Sequence, residues 1–265
     1  MKSLKIAVIG AGNMGGALVE GFLNSGRYAP ESITIGDLSA DVRRKFEEQG
    51  VKAAADNAAA VSGADVVIVG VKPWLVERVA GQIKGNLTPS AAVVSIAGGV
   101  GLDALTGCFG GSTSLYRAIP NIAASLGESM TFVSREGGSA SLDEMVVGLF
   151  ESVGQVMLID EKQLDAAMVA ASCGIAYALR YVRASMEAGI EMGLGAAASR
   201  RIVAQTIKGA AELLLNGDQH PEAAIDQVTT PGGTTIVGLN EMERSGFTGA
   251  VIDGYLAAFR RVKGK

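Results

Sequence analysis

The chain has 265 residues, 48% of them hydrophobic and 19% charged, enough to bury one large α/β core or two smaller ones. No stretch approaches the roughly 20 apolar residues of a membrane span, and the first apolar run, broken by glycine from Gly10, lacks the small-residue cleavage site of an export signal. A net charge of −4 offers no basic stripe for nucleic acid, and two distant cysteines with one histidine, His220, leave no metal-ligand spacing, so a cytoplasmic protein without a metal is expected.

Residues 5–9 form a β-branched run that predicts a strand, and 13–25 carry a helical pattern. Between them stands Gly10-Ala11-Gly12-Asn13-Met14-Gly15, in the strand-turn-helix context that a dinucleotide fingerprint requires. Gly10 permits the tight turn, Gly12 lets the backbone approach a pyrophosphate, and Gly15 lets the helix pack on the strand. The helix N-terminus then offers free N–H groups to the phosphates. The plain alternative is a glycine-rich turn with no ligand.

Residues 32–36 read as a second strand, with Asp37 at its end placed to accept hydrogen bonds from an adenosine ribose. That favours NAD(H), while Arg43 and Arg44 nearby offset the repulsion of a 2′-phosphate, so NAD(H) and NADP(H) both stay open. The alternative for Asp37 is a turn residue or helix cap. Further strands are predicted over 64–71, 91–96, 114–119 and 155–159. Strands alternating with helical patterns imply βαβ units, and so a Rossmann-like, mainly parallel sheet over residues 1–160. Val71-Lys72-Pro73 and Ala97-Gly98-Gly99 fall at strand ends, on the edge that faces the ligand crevice. With Asn57, the residues Val71, Lys72, Pro73, Ala97 and Gly98 complete the expected cofactor-binding set. A solvated charge is the alternative for Lys72.

Beyond Glu161 the strand signal stops. Leu164, Met168, Ala171, Ile175, Leu179, Val182, Met186 and Ile190 recur at steps of three or four, the stripe of one long helix. Helical patterns follow over 197–216, 234–244 and 248–262. Residues 161–265 therefore read as an all-helical domain with more apolar surface than it can bury alone, which predicts a homodimer or a larger assembly built on dimers. Cys173 lies in the apolar stripe and reads as a core thiol, and His220 as a cap or solvated side chain.

Pro231-Gly232 favours a turn with positive φ at glycine, Gly233 follows, and a helix begins near Thr234. Successive N–H groups can there form a nest for a carboxylate. Thr230 and Thr235 can add hydroxyls. A simple helix cap after a Pro-Gly turn is the competing explanation.

Ile9 to Gly15, Val71-Lys72-Pro73, Arg117-Ala118-Ile119-Pro120-Asn121 and Val228-Thr229-Thr230-Pro231-Gly232-Gly233-Thr234-Thr235 together resemble the motifs of the pyrroline-5-carboxylate reductase family, in the same order and at similar intervals. The likeness spans nearly the whole chain, and the segment from Thr229 to Thr235 is its most specific part. It implies a Rossmann-like domain, a helical dimerisation domain, NAD(P)H as hydride donor and L-proline as product. It also implies substrate contacts from Thr230, Gly232, Gly233, Thr234 and Thr235, with Thr235 as the catalytic candidate.

The chain departs from the family pattern in two places. Ala170-Ala171-Ser172-Cys173-Gly174-Ile175-Ala176-Tyr177 stands where the family reads Leu-Ser-Gly-Ser-Gly-Pro-Ala-Tyr, and Ile122-Ala123 where it reads Thr-Pro. A reductase of a related cyclic imino acid therefore stays open. A β-hydroxyacid-type dehydrogenase would need a lysine on the long helix, and none occurs from Asp165 to Met192. A nicotinamide nucleotide sensor without turnover is the non-enzymatic alternative.

Overall fold

A computed structural model describes residues 4–136 and 139–264. The described residues form two compact units, one ending at Ser172 and the other beginning at Cys173.

The first unit holds a sheet of eight strands: β1 (Ile6–Ile9), β2 (Ile33–Gly36), β3 (Lys52–Ala54), β4 (Val66–Val69), β5 (Ala92–Ser95), β6 (Ser114–Ile119), β7 (Ser129–Glu136) and β8 (Gly154–Leu158). Their spatial order is β3-β2-β1-β4-β5-β6-β7-β8, and every pairing is parallel except β6 with β7. This is the mainly parallel sheet expected from the sequence, with β3 and β7 added to the strands legible there.

β1, β4 and β5 are buried along their whole length, as continuous Val/Ile/Ala runs are when helices cover both faces. The helices are α1 (Asn13–Asn24), α2 (Ala40–Glu47), α3 (Asn57–Val61), α4 (Val76–Ile83), α5 (Leu102–Phe109), α6 (Ala140–Glu151) and α7 (Glu161–Met168). Alternate strand residues feed two cores. Val8, Ile68, Val94 and Tyr116 pack with Leu18, Phe22 and Phe150 of α1 and α6. Ala7, Val67 and Val93 pack with Val79, Ile83 and Leu105 of α4 and α5 on the other face. Because β1 lies between β2 and β4, chain progression reverses there, and the crevice of a doubly wound sheet opens at such a switch point.

The second unit is all helical: α8 (Gly174–Glu191), α9 (Ala196–Leu215), α10 (Pro221–Val228), α11 (Thr234–Arg244) and α12 (Phe247–Val262). The stripe that predicts one long helix is realised as α7, a π-helical turn at Val169–Cys173, and α8. α7 belongs to the first unit, where Leu164 is fully buried. α8 and α9 approach closely because position 189 is glycine: a Cβ there would lie 2.3 Å from Ser199 Oγ. The Ser199 hydroxyl donates to the Met186 carbonyl at 3.0 Å.

Leu179, Leu213, Leu215, Val237, Ile252 and Leu256 are exposed on the single chain, the unpartnered apolar surface expected of a subunit that associates. Cys173 is half-buried rather than a core thiol, since it ends the π turn instead of lying inside the stripe. Among the described residues no helix is long and apolar enough to cross a membrane.

Candidate functional site

A cleft of about 790 Å³ runs along the carboxyl edge of the sheet in the first unit. It crosses the ends of β2, β1, β4 and β5, three inter-strand spacings or about 14 Å. Gly10, Gly12, Asn13, Met14, Asp37, Asn57, Val71, Lys72, Pro73, Ala97 and Gly98 all line it. Eleven candidates from five separate segments therefore meet in one crevice.

The two remaining cofactor candidates, Ala11 and Gly15, stand behind the turn. Ala11 is buried and donates its N–H to Asp37 Oδ2 at 2.9 Å. Gly15 is a packing glycine, since a Cβ there would meet the Gly10 carbonyl oxygen at 2.0 Å. Gly10 has φ +90° and lies against the Gly70 carbonyl, whereas a Cβ on Gly12 would meet nothing within 4 Å. The first two glycines thus have different duties: Gly10 makes the turn, and Gly12 leaves the cleft clear. α1 begins without a side-chain cap, so its first N–H groups have no competing acceptor from the cap residue.

Asp37 uses both carboxylate oxygens locally, Oδ2 on Ala11 N–H and Oδ1 on Ser39 N–H at 2.8 Å. Each oxygen keeps capacity for a second donor. Arg43 donates to the carbonyls of Asp37 and Leu38 at 2.7 and 3.0 Å, which places a guanidinium beside the end of β2. Asn57 Nδ2 donates to Gln82 Oε1 at 2.8 Å, coupling α3 to α4.

Sequence reasoning missed Leu38, Ala55, Asp56, Arg78 and Gln82, which also line the cleft. Arg78, Val79 and Gln82 stand three, four and seven residues after Leu75, the spacing of one helix face, and that stripe was the available signal.

The second unit carries the other candidates. Gly233 N–H donates to the Thr230 carbonyl at 2.9 Å and Gly232 has φ +72°, so Thr230-Pro231-Gly232-Gly233 forms a type II-like turn with proline and glycine at its centre. Gly233 is required, because a Cβ there would lie 2.5 Å from Thr230 Oγ1. α11 starts at Thr234 with no side-chain cap, and Thr230, Thr234 and Thr235 are exposed on the single chain. The arrangement leaves N–H groups and hydroxyls free for an anion. His220 caps α10, its Nδ1 accepting Glu222 N–H at 3.2 Å. Ser172, in one of the two segments that depart from the family pattern, donates its Oγ to the carbonyl of Pro120, two residues before the other, at 3.3 Å.

Residues 161–265 match the family model described as pyrroline-5-carboxylate reductase dimerisation, and residues 5–99 match NADP oxidoreductase coenzyme F420-dependent. The chain is 33% identical to pyrroline-5-carboxylate reductase 2 of Dictyostelium discoideum, over 94% of this chain and 89% of that one. It is 32% identical to the pyrroline-5-carboxylate reductase of Arabidopsis thaliana, over 98% and 95% of the two chains. Among solved structures it superposes on the NADP-bound pyrroline carboxylate reductase of Plasmodium falciparum with a TM-score of 0.91 and 28% identity, covering 100% of this chain and 98% of that one.

Proposed function

The chain belongs to the pyrroline-5-carboxylate reductase family, and from that premise we propose that it reduces 1-pyrroline-5-carboxylate to L-proline with hydride from NAD(P)H, in proline biosynthesis. The observation that carries this reading is the cleft at the strand switch point, with Gly12 unobstructed and the N-terminus of α1 uncapped before it. A pyrophosphate fits there: backbone N–H groups supply the donors, and the helix end a partial positive charge. The adenosine half would be held by Asp37 and the Arg43 side, and the nicotinamide half by Val71, Lys72, Pro73, Ala97 and Gly98. When bound, the nicotinamide supplies the hydride.

The remaining work is positioning. The Gly233 N–H closes the turn on the Thr230 carbonyl, so the N–H groups of Thr234 and Thr235 at the start of α11 would receive the substrate carboxylate, and the Thr235 hydroxyl would contact the ring nitrogen. A cyclic imine that enters protonated needs no dedicated acid, which suits a site without histidine. The residues must bring the imine carbon to about 3–3.5 Å from the donor and exclude water.

We assign residues 1–160 to dinucleotide binding and 161–265 to substrate binding and dimerisation, with a homodimer as the working unit. The free thiols Cys108 and Cys173 suit a reducing cytoplasm. The test is oxidation of NADPH and NADH with 1-pyrroline-5-carboxylate, its six-membered homologue and 2-keto acids. Turnover confined to the keto acids would overturn the assignment, and preference for the larger ring would move the substrate within the class, as the departures at Ala170 to Ile175 and at Ile122-Ala123 permit.

A further inference from the structure

Arg117 lies in β6 beside Ser95, the last residue of β5, and is only 5% exposed. Its guanidinium donates to Glu161 Oε1 at 2.7 Å, while its Nε has no hydrogen-bond partner among the described residues. A buried arginine held through one side of its fork depends heavily on that one carboxylate.

The same Glu161 Oε1 also accepts Leu102 N–H at 2.7 Å. Leu102 opens α5, whose N-cap is Gly101, a residue with no side chain to cap it. Glu161, 59 residues further on, supplies the missing cap. Between Ser95 and Leu102 runs the loop that carries Ala97 and Gly98 into the cleft. α7 backs this loop at two points: a Cβ on Gly101 would meet Glu161 Oε1 at 3.5 Å, and one on Gly98 would meet Met168 Sδ at 3.7 Å.

We propose that Arg117 and Glu161 form a positioning pair for hydride transfer, in which the guanidinium holds the carboxylate and the carboxylate pins the 96–101 loop that lines the nicotinamide end of the cleft. The proposal rests on the reading of that cleft as the cofactor site. Neither side chain lines the cleft, so the pair acts through the loop and not on the substrate. One end of the loop is fixed by β5 in the sheet; the other enters α5, whose Leu102 and Leu105 are buried and whose first N–H is held by this oxygen.

The test uses the full-length enzyme with Glu161→Ala, Glu161→Gln and Arg117→Lys. Steady-state turnover and calorimetric binding of NADPH and NADH are compared with binding of 2′,5′-ADP and 5′-AMP, which reach only the adenosine end. Glu161→Ala should lower kcat by about ten- to hundredfold, as small misplacements of reacting groups do, and weaken the whole dinucleotide several-fold. Affinity for the fragments should stay within twofold of wild type. Glu161→Gln keeps an acceptor for Leu102 N–H and should recover part of kcat, and Arg117→Lys should fall between. Wild-type protein that binds no dinucleotide overturns the cofactor reading and this proposal with it. Wild-type turnover matched in kcat and KM by Glu161→Gln and Glu161→Ala overturns the proposal alone. So does an equal loss of dinucleotide and fragment binding, which would make the pair a support of the fold only.

Discussion

Asp37 Oδ2 accepts the N–H of Ala11 at 2.9 Å, so the carboxylate at the end of β2 braces the glycine turn that follows β1. The same side chain proposed to contact the ribose therefore also shapes the turn proposed to hold the phosphates. Its position at the end of a strand suits both roles, since β1 and β2 are neighbours in register.

Replacing Asp37 with Ser should have two separable effects. Loss of a charge-assisted bond worth about 1.5–3 kcal/mol loosens the turn, and both cofactors should bind roughly tenfold or more weakly. Removal of the negative charge beside Arg43 should at the same time raise the NADPH/NADH ratio of catalytic efficiency. An unchanged ratio would show that Asp37 serves the turn and not the ribose.

Gly12 and Gly15 allow packing to be told apart from ligand binding. A Cβ at Gly12 meets no protein atom within 4 Å, so Gly12→Ala should leave the melting temperature nearly unchanged while cofactor affinity falls sharply. At Gly15 the added carbon would sit 2.0 Å from the Gly10 carbonyl oxygen, so Gly15→Ala should cost about 1–3 kcal/mol of stability whether or not cofactor is present. Thermal melts with and without NADPH read both outcomes, and a destabilised Gly12→Ala with normal affinity would reverse the assignment.

Most of the sheet was legible because its central strands are continuous apolar runs with glycine at their ends. β7 was not, and its buried face explains why. Ser129 and Thr131 lie fully inside, hydrogen-bonded to each other at 3.0 Å, and Ser129 also accepts Asn121 N–H at 3.1 Å. Met130 and Phe132 alternate with them but are only half-buried, so the alternation points the wrong way and small hydroxyls that satisfy one another hold the core-facing positions. β3 is a three-residue strand of Lys and Ala at the sheet edge, too short for a pattern.

The site shows the same division. The glycine turn and the Pro-Gly-Gly turn are local and carry their own geometry, whereas Glu161 and Arg117 meet from 44 residues apart with nothing in either neighbourhood to announce it.

The Thr230–Thr235 turn can be probed from its backbone and from its hydroxyl. Gly233→Ala would push a carbon to 2.5 Å from Thr230 Oγ1, so KM for the imine should rise while NADPH affinity holds. Thr235→Ala should remove one hydrogen bond of about 0.5–1.5 kcal/mol, lowering kcat/KM several-fold to about tenfold, with Thr235→Ser restoring most of it. Full activity in Thr235→Ala would remove that hydroxyl from the site.

Alkaline stability should follow Tyr116. Burial pushes its phenol above the ordinary value near 10, and its hydrogen bond to the Asp143 carboxylate, 2.9 Å, pushes it the same way, because the neutral O–H is the form that can donate. A group whose folded pKa is raised contributes stability that is fully present below the unfolded pKa and is lost as pH climbs toward the folded one. Wild-type protein should therefore hold its melting temperature up to about pH 10 and lose it progressively above. Tyr116→Phe gives up the hydrogen bond, so it should melt lower at pH 8 and show a shallower decline between pH 10 and 11.5. Parallel melting curves for the two proteins across that interval would mean that another group governs the alkaline limit.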